Sequence, residues 1–371
     1  MLYRKYRPAT FSEVVGQEHV VKTLQGALTT GRIGHAYLFT GPRGTGKTTL
    51  ARLLAKSLNC EKRGKDGDCD NTCSYCLAIN ENRSLDLIEI DAASNRGIDD
   101  IRSLKESALV SAPGGKYKVF IIDEVHMLTK DAFNALLKVL EEPPAGVVFI
   151  LATTEPHKIL TTVLSRVQRF DFKRLTPRQI LGKLKQMSKA ENITIDTEGL
   201  NAIATSSDGA LRDAEVALSK VFASHSEKTR PNVPFGTGRE ISADDVYTTL
   251  GLIPANYHSE FLSYLIANDK NKAIDFIGRI YSGGIDTEHF TTGFVEYLRK
   301  ILIHTINPTI LASVGEELLD NDVRLITTYS DTLTQQQLIR MLSAFILAKE
   351  GMKSSPIPQL PLELAVLELI N

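Results

Sequence analysis

Eight consecutive residues, Gly41, Pro42, Arg43, Gly44, Thr45, Gly46, Lys47 and Thr48, meet the pattern G-x-x-x-x-G-K-[ST] at every fixed position. In this pattern the glycines let the backbone curl so that its N–H groups converge on a polyphosphate, and the helix that follows adds partial positive charge at the same point. The lysine, Lys47, then reaches the β- and γ-phosphates and the hydroxyl of Thr48 ligates Mg²⁺. Thr49, next in line, completes the stretch expected to hold the nucleotide. A second group fits the same chemistry: Lys118-Val119-Phe120-Ile121-Ile122 runs into Asp123 and Glu124. An apolar strand ending in two acids puts them at the carboxyl end of a parallel sheet, where such folds bind ligands. Asp123 is placed to hold Mg²⁺, and Glu124 to polarise the water that attacks the γ-phosphate.

Weaker candidates surround these two. Thr153 and Thr154 close the apolar run Val147–Ala152, and their hydroxyls could bond a phosphate or the attacking water, or simply cap the strand. Arg166 could complete the site of a neighbouring subunit, because a planar guanidinium suits a transferring phosphoryl group, or be an ordinary surface arginine. Arg212 could reach a nucleotide or pair with Asp208. Ser94, Asn95, Arg96 and Arg102 could donate to a nucleic-acid backbone or belong to a solvated helix face. Val14 and Val15, in the extended stretch that starts at Arg7 and Pro8, either wall an adenine pocket or form an N-terminal clasp.

All four cysteines crowd into one polar insertion, as Cys60-x8-Cys69-x3-Cys73-x2-Cys76. Four thiolates suit tetrahedral Zn²⁺, and a site closed by four protein ligands is structural. Two disulfides are the competing arrangement, and they need an oxidising compartment.

The elements that must position these groups follow from periodicity. Ala36–Phe39 is a buried strand before the glycine-rich loop, and Thr49–Leu58 a helix after it; a helix at about Glu18–Leu28, strands at Leu85–Asp91, Lys118–Glu124 and Val147–Ala152, and a helix at Lys130–Leu140 stopped by Pro143 and Pro144 complete an α/β alternation. That alternation fades after Leu164-Ser165-Arg166-Val167. Beyond it come helices, including Pro177–Ala190 and the run Asp208–Leu218, then a polar segment, Ser224–Gly238, rich in turn residues, and amphipathic patterns from Ile241 onward, as at His258–Ala267, Lys272–Ser282 and Gln336–Leu347.

With 371 residues the chain has room for about two or three domains, each with its own core. Hydrophobic content of 43% and charged content of 23% are those of a globular protein, and a net charge of −1 provides no global attraction to nucleic acid. No apolar run approaches the roughly eighteen residues that span a bilayer, and the first residues lack the apolar region of a signal peptide, so a cytoplasmic location is expected.

Taken together, the phosphate loop, Asp123-Glu124-Val125-His126-Met127-Leu128-Thr129, Arg7-Pro8 with Val15-Gly16-Gln17-Glu18-His19, the cysteine cluster after the first helix of the fold, Asn134-Ala135-Leu136-Leu137-Lys138 with Leu140-Glu141-Glu142-Pro143-Pro144, and Leu151-Ala152-Thr153-Thr154-Glu155-Pro156 resemble the gamma/tau subunits of bacterial DNA polymerase III clamp loaders. The resemblance runs almost the full length. It implies an α/β fold: a P-loop AAA+ nucleotide-binding domain over residues 1–172 with a zinc insertion at 60–76, a small helical lid over 173–240, and an all-helical collar over 241–371. It implies an ATPase that, with delta-type, delta-prime-type and further copies of itself, opens a sliding clamp and loads it on primer–template DNA. By motif, Thr154 takes the first sensor position, Arg166 the arginine finger and Arg212, in Gly209-Ala210-Leu211-Arg212-Asp213, the second sensor.

Two departures stand out. The family usually has cysteine where this chain has Val167, and tends to space its last three cysteines by two and two, where the gaps here are three and two. The chain also stops after the collar, short of the tail through which tau subunits reach helicase and polymerase. The expectation is thus a Mg²⁺-dependent, clamp-loading ATPase; a non-hydrolysing subunit of the same ring and a AAA+ remodelling enzyme without a clamp are the alternatives.

Overall fold

The structure is a computed structural model, and it describes residues 2–110, 112, 114–225, 240–308 and 320–370. Most of the polar segment expected as a linker, from residue 226 on, lies outside the described residues. The chain divides into two compact units, one formed by Met1–Leu175 with Ser207–Val216, the other by Thr176–Ser206 with Ala217–Asn371.

The first unit is built on five strands: β1 (Ala36–Thr40), β2 (Leu87–Asp91), β3 (Lys118–Asp123), β4 (Val147–Thr153) and β5 (Gln168–Asp171). They lie in the order β2-β3-β4-β1-β5, and every pairing is parallel. Strands β1, β3 and β4 are buried almost throughout, which is why their sequences are unbroken apolar runs. Their side chains alternate between two cores. Leu38, Phe120, Ile122, Phe149 and Leu151 point to the face covered by Ile98–Leu109 and Lys130–Glu141. Tyr37, Phe39, Val119, Ile121 and Ile150 point to the face covered by helix α1 (Glu18–Thr30) and helix α2 (Lys47–Asn59).

One expectation is corrected: the α/β alternation does not fade at Arg166, because β5 follows at once. It is a short edge strand in which only Phe170 is buried. With Gln168, Arg169 and Asp171 facing out, it lacks the apolar run that gives a central strand away. The helix expected at Thr49–Leu58 begins earlier, at Lys47, directly on the phosphate loop.

The second unit is helical. The Pro177–Ala190 helix starts on a capping box in which Thr176 and Gln179 satisfy each other's backbone N–H groups. It packs with Thr197–Ser206, which in turn packs with Ala243–Leu250. Beyond these, Ala255–Ile266, Lys270–Ser282, Thr287–Ile306, Gln335–Met352 and Leu360–Leu369 enclose a core centred on Phe261, Phe276, Phe290, Phe294 and Phe345. The Phe261 and Phe294 rings meet edge to face with centroids 4.9 Å apart. Among the described residues no helix is long and apolar enough to cross a membrane.

Candidate functional site

The phosphate loop leaves β1 at Gly41, whose φ of 141° is open essentially to glycine alone. A β-carbon there would sit 2.4 Å from the Phe172 carbonyl oxygen. Gly44 and Gly46 also take positive φ, 78° and 98°, and a β-carbon on Gly44 would meet that of Ala210 at 2.8 Å. These residues wind the loop into the N-terminus of α2.

Lys47 follows, buried, its Nζ donating to the carbonyls of Gly41 at 2.7 Å and Pro42 at 2.8 Å. Burial lowers its pKa, and the charges of Glu124 and Asp123 act against that shift. The ammonium is therefore held by its own loop and faces both acids. Thr48 Oγ1 donates to Asp123 Oδ2 at 2.8 Å, which joins the loop to the end of β3.

Glu124 sits just past that strand in the left-handed region, φ 49° and ψ 44°, as a turn begins. Its N–H donates to Asp123 Oδ1 at 3.0 Å. Its Oε2 accepts from Thr154 twice, from Oγ1 at 3.0 Å and from N–H at 3.3 Å. The register of β3 against β4 sets up this meeting: Ile122 lies opposite Leu151, so both strand ends finish at one rim. The same rim holds a residue that the sequence reading did not single out. The buried His126 places Nδ1 3.0 Å from Thr153 Oγ1 and 3.4 Å from Glu124 Oε2, with Nε2 2.9 Å from Glu155 Oε2. A histidine two positions after the second acid was the available signal.

A cavity of about 550 Å³ opens over this rim. Arg7, Pro8, Val14, Val15, Arg43–Thr49, Asp123, Glu124 and Arg212 line it, together with Tyr3, Asp91, Leu175, Leu211 and Glu215. The volume lies in the range of small-ligand and cofactor pockets. Of the anticipated nucleotide contacts, Gly41 and Pro42 lie behind the loop, where they receive Lys47. Arg7 is exposed along its length, yet desolvation of its guanidinium lowers its pKa. The Arg212 guanidinium stands 5.1 Å from the centre of the Tyr3 ring rather than on Asp208, which pairs with Arg174.

The wall carrying Val14 and Val15 is fixed by Gln17. This fully buried side chain donates to the Lys173 carbonyl at 2.7 Å and accepts the Lys173 N–H at 3.1 Å.

Arg166 is not in this cavity. It binds Glu141 at 2.8 Å and the Thr162 carbonyl at 2.6 Å on the outside of the unit. Ser94 and Asn95 turn back on Asp91, and Arg102 pairs with Asp99. Their donors serve the local fold.

The cysteines are free thiols. The sulfurs of Cys60, Cys73 and Cys76 gather with a carboxylate oxygen of Asp70, all within 4.8 Å of one another. The expected quartet is corrected here: Cys69 is not in this group, and its thiol instead donates to the Ala9 carbonyl at 3.4 Å. The set of three soft sulfurs and one carboxylate oxygen is compatible with zinc.

Comparison with known proteins agrees with this geometry. The family described as DNA polymerase III, delta subunit matches residues 16–176, and DNA polymerase III subunits gamma and tau domain III matches residues 241–371. The DNA polymerase III subunit gamma of Buchnera aphidicola subsp. Acyrthosiphon pisum is 33% identical over all of this chain and 98% of its own length. The chain belongs to the DNA polymerase III gamma/tau subunit family. Other gamma/tau relatives are longer. DNA polymerase III subunit tau of Bacillus subtilis is 38% identical over 99% of this chain, and that of Escherichia coli 38% over 88%, but the matches span 62% and 48% of those proteins. In the first unit the phosphate loop follows β1 of a parallel sheet, and Asp123 and Glu124 stand at the end of β3.

Proposed function

We propose that this chain is an ATP-hydrolysing subunit of the DNA polymerase III clamp loader, acting in the cytoplasm. The observation that carries the reading is the convergence of Lys47, Thr48, Asp123, Glu124 and Arg212 on one cavity that the N-terminal segment closes. The phosphate loop would grip the triphosphate, with Lys47 exchanging its loop carbonyls for phosphate oxygens. Val14, Val15, Arg7 and Pro8 would bound the base. Thr48 and Asp123 offer hard oxygen donors 2.8 Å apart, a pair suited to Mg²⁺, which neutralises charge on the phosphates when bound.

Glu124 would then accept a proton from water as the water oxygen bonds to the γ-phosphorus and the bond to the β–γ bridging oxygen breaks, releasing ADP and phosphate. Thr154 and His126 set the direction of that carboxylate. Arg166, facing outward, would serve a neighbouring subunit's nucleotide, and Arg212 would report the nucleotide to the helices that follow it.

The chain would work as three parts: the AAA+ domain over 1–172 with its zinc insertion, a lid over 173–240 and a collar over 241–371. The exposed Ile339, Leu347, Leu364 and Leu367 favour a subunit-contact role for the last of these. Partners would be delta-type and delta-prime-type subunits, further copies of the chain, the sliding clamp and primer–template DNA. Hydrolysis would change affinity for clamp and DNA by favouring one of two states of the ring.

The test is ATP turnover by the chain assembled with its loader subunits, clamp and primed DNA. Glu124→Gln should bind ATP and clamp yet turn over at a hundredth of the rate or less. Unchanged turnover would return the chain to a non-hydrolysing role. Failure to retain the clamp would favour a AAA+ remodelling enzyme.

A further inference from the structure

We infer that Asp70, and not Cys69, is the fourth ligand of the metal in the cysteine insertion. The inference rests on the reading that this insertion binds zinc, and it fixes which atoms would do so.

Cys69 and Asp70 are neighbours, and the structure turns them to different partners. Asp70 faces the three cysteines: its carboxylate lies 3.4 Å from Cys60 Sγ, and its own N–H donates to that sulfur at 3.5 Å. Cys60 and Cys73 sulfurs are 4.0 Å apart. A tetrahedron with Zn–S bonds of about 2.3 Å has edges of about 3.8 Å, so the spacing is already that of ligands to one ion.

Spacing along the chain supports the same set. Asp70, Cys73 and Cys76 recur every third residue, so the gaps are two and two, a ligand interval that Cys69 would break. The carboxylate is also aimed before any metal arrives. Its Oδ1 accepts the N–H groups of Thr72 and Cys73, both at 3.2 Å, and its Oδ2 the Thr72 hydroxyl at 2.8 Å. Outer contacts of this kind fix the direction of a metal-binding carboxylate. A further N–H, from Cys76, points at Cys73 Sγ at 3.5 Å. Asn71, with φ 57°, turns the chain so that Asp70 and Cys73 face each other.

Cys69 is engaged elsewhere. Its thiol bonds the Ala9 carbonyl, beside the buried Lys56, whose Nζ joins Ala9 O at 2.7 Å and Asn80 Oδ1 at 3.1 Å. Next to it, Asp68 accepts the N–H of Phe11 at 3.0 Å. Cys69 therefore belongs to the seam that joins the insertion to the N-terminal segment, not to the metal.

X-ray absorption at the zinc edge of the full chain, purified with its metal, tests this directly. Three sulfurs near 2.3 Å and one oxygen near 2.0 Å are expected for one zinc per chain. Cys69→Ser should keep both the stoichiometry and the three-to-one shell. Asp70→Cys should move the shell to four sulfurs, raising the thiolate charge-transfer band of the cobalt-substituted protein by about a third. Four sulfurs in the unaltered chain, or loss of one sulfur in Cys69→Ser, overturns the assignment of Asp70 while leaving zinc in place. Absence of zinc overturns the metal site itself.

Discussion

Thr154 Oγ1 donates to Glu124 Oε2 at 3.0 Å, and the Thr154 N–H reaches the same oxygen at 3.3 Å. The carboxylate proposed to take a proton from water is thus held by the residue that closes the adjacent strand. Thr154→Val removes the hydroxyl bond and keeps the backbone one. We expect turnover of the assembled loader to fall about tenfold with ATP affinity within about twofold, the cost of one hydrogen bond to a charged group. Single-turnover assays with a nucleotide-binding titration check it, and an unchanged rate would mean that the contact does not outlast nucleotide binding.

Lys47 is buried, and the charges of Glu124 and Asp123 act on it. Lys47→Ala should weaken ATP binding by a hundredfold or more, since a charged, desolvated phosphate contact is worth about 3 kcal/mol. Equilibrium binding of a fluorescent ATP analogue reads this out, while a thermal melt without nucleotide should stay near that of the parent chain.

At Gly41 the φ of 141° and the 2.4 Å approach of a β-carbon to the Phe172 carbonyl act together. Gly41→Ala should cost about 3 kcal/mol of stability through strain and backbone collision. Chemical denaturation should show the loss even without nucleotide, whereas a defect seen only in ATP binding would contradict this account.

Arg166 is tied to Glu141 and Thr162, outside the cavity of its own chain. Arg166→Ala should leave ATP affinity of the isolated chain unchanged and lower hydrolysis by the assembled ring by a thousandfold or more. Mixing this variant with Glu124→Gln chains should restore hydrolysis where a sound arginine meets a sound glutamate. No recovery in mixed rings would remove the in-trans role.

His258 gives a pH test in the helical unit. Burial against Phe290, 5.1 Å between ring centres, lowers its pKa to about 4, and among the described residues its Nε2 has no hydrogen-bond partner. The unfolded chain, with a pKa near 6.5, binds that proton first. Stability is then full above about pH 6.5 and declines as pH falls towards 4, by up to about 3 kcal/mol. Denaturation midpoints between pH 4 and 7 should show this slope, and His258→Phe should flatten it.

The central strands and the phosphate loop were legible because one physical requirement wrote each of them: burial on both faces for β1, β3 and β4, and phosphate geometry for Gly41–Thr48. The edge strand β5 was not, because a strand with one buried residue in four looks like a loop. That the Cys69 sulfur lies apart from the other three was hidden for a related reason. Residue type named the metal chemistry, but which of two adjacent side chains turns inward is settled by the backbone at Asn71 and by the hydrogen bonds of Asp70, and neither is written in the spacing of cysteines. His126 stayed hidden because its role depends on two glutamates that meet only once the strand ends align.

Gln17 makes with Lys173 the pair of bonds that a neighbouring strand would make. A side chain thus imitates main chain at the place where the polypeptide quits the sheet for the helices beyond Leu175. Shortening that one amide would loosen two places at once, the edge that carries Val14 and Val15 and the main chain at Lys173.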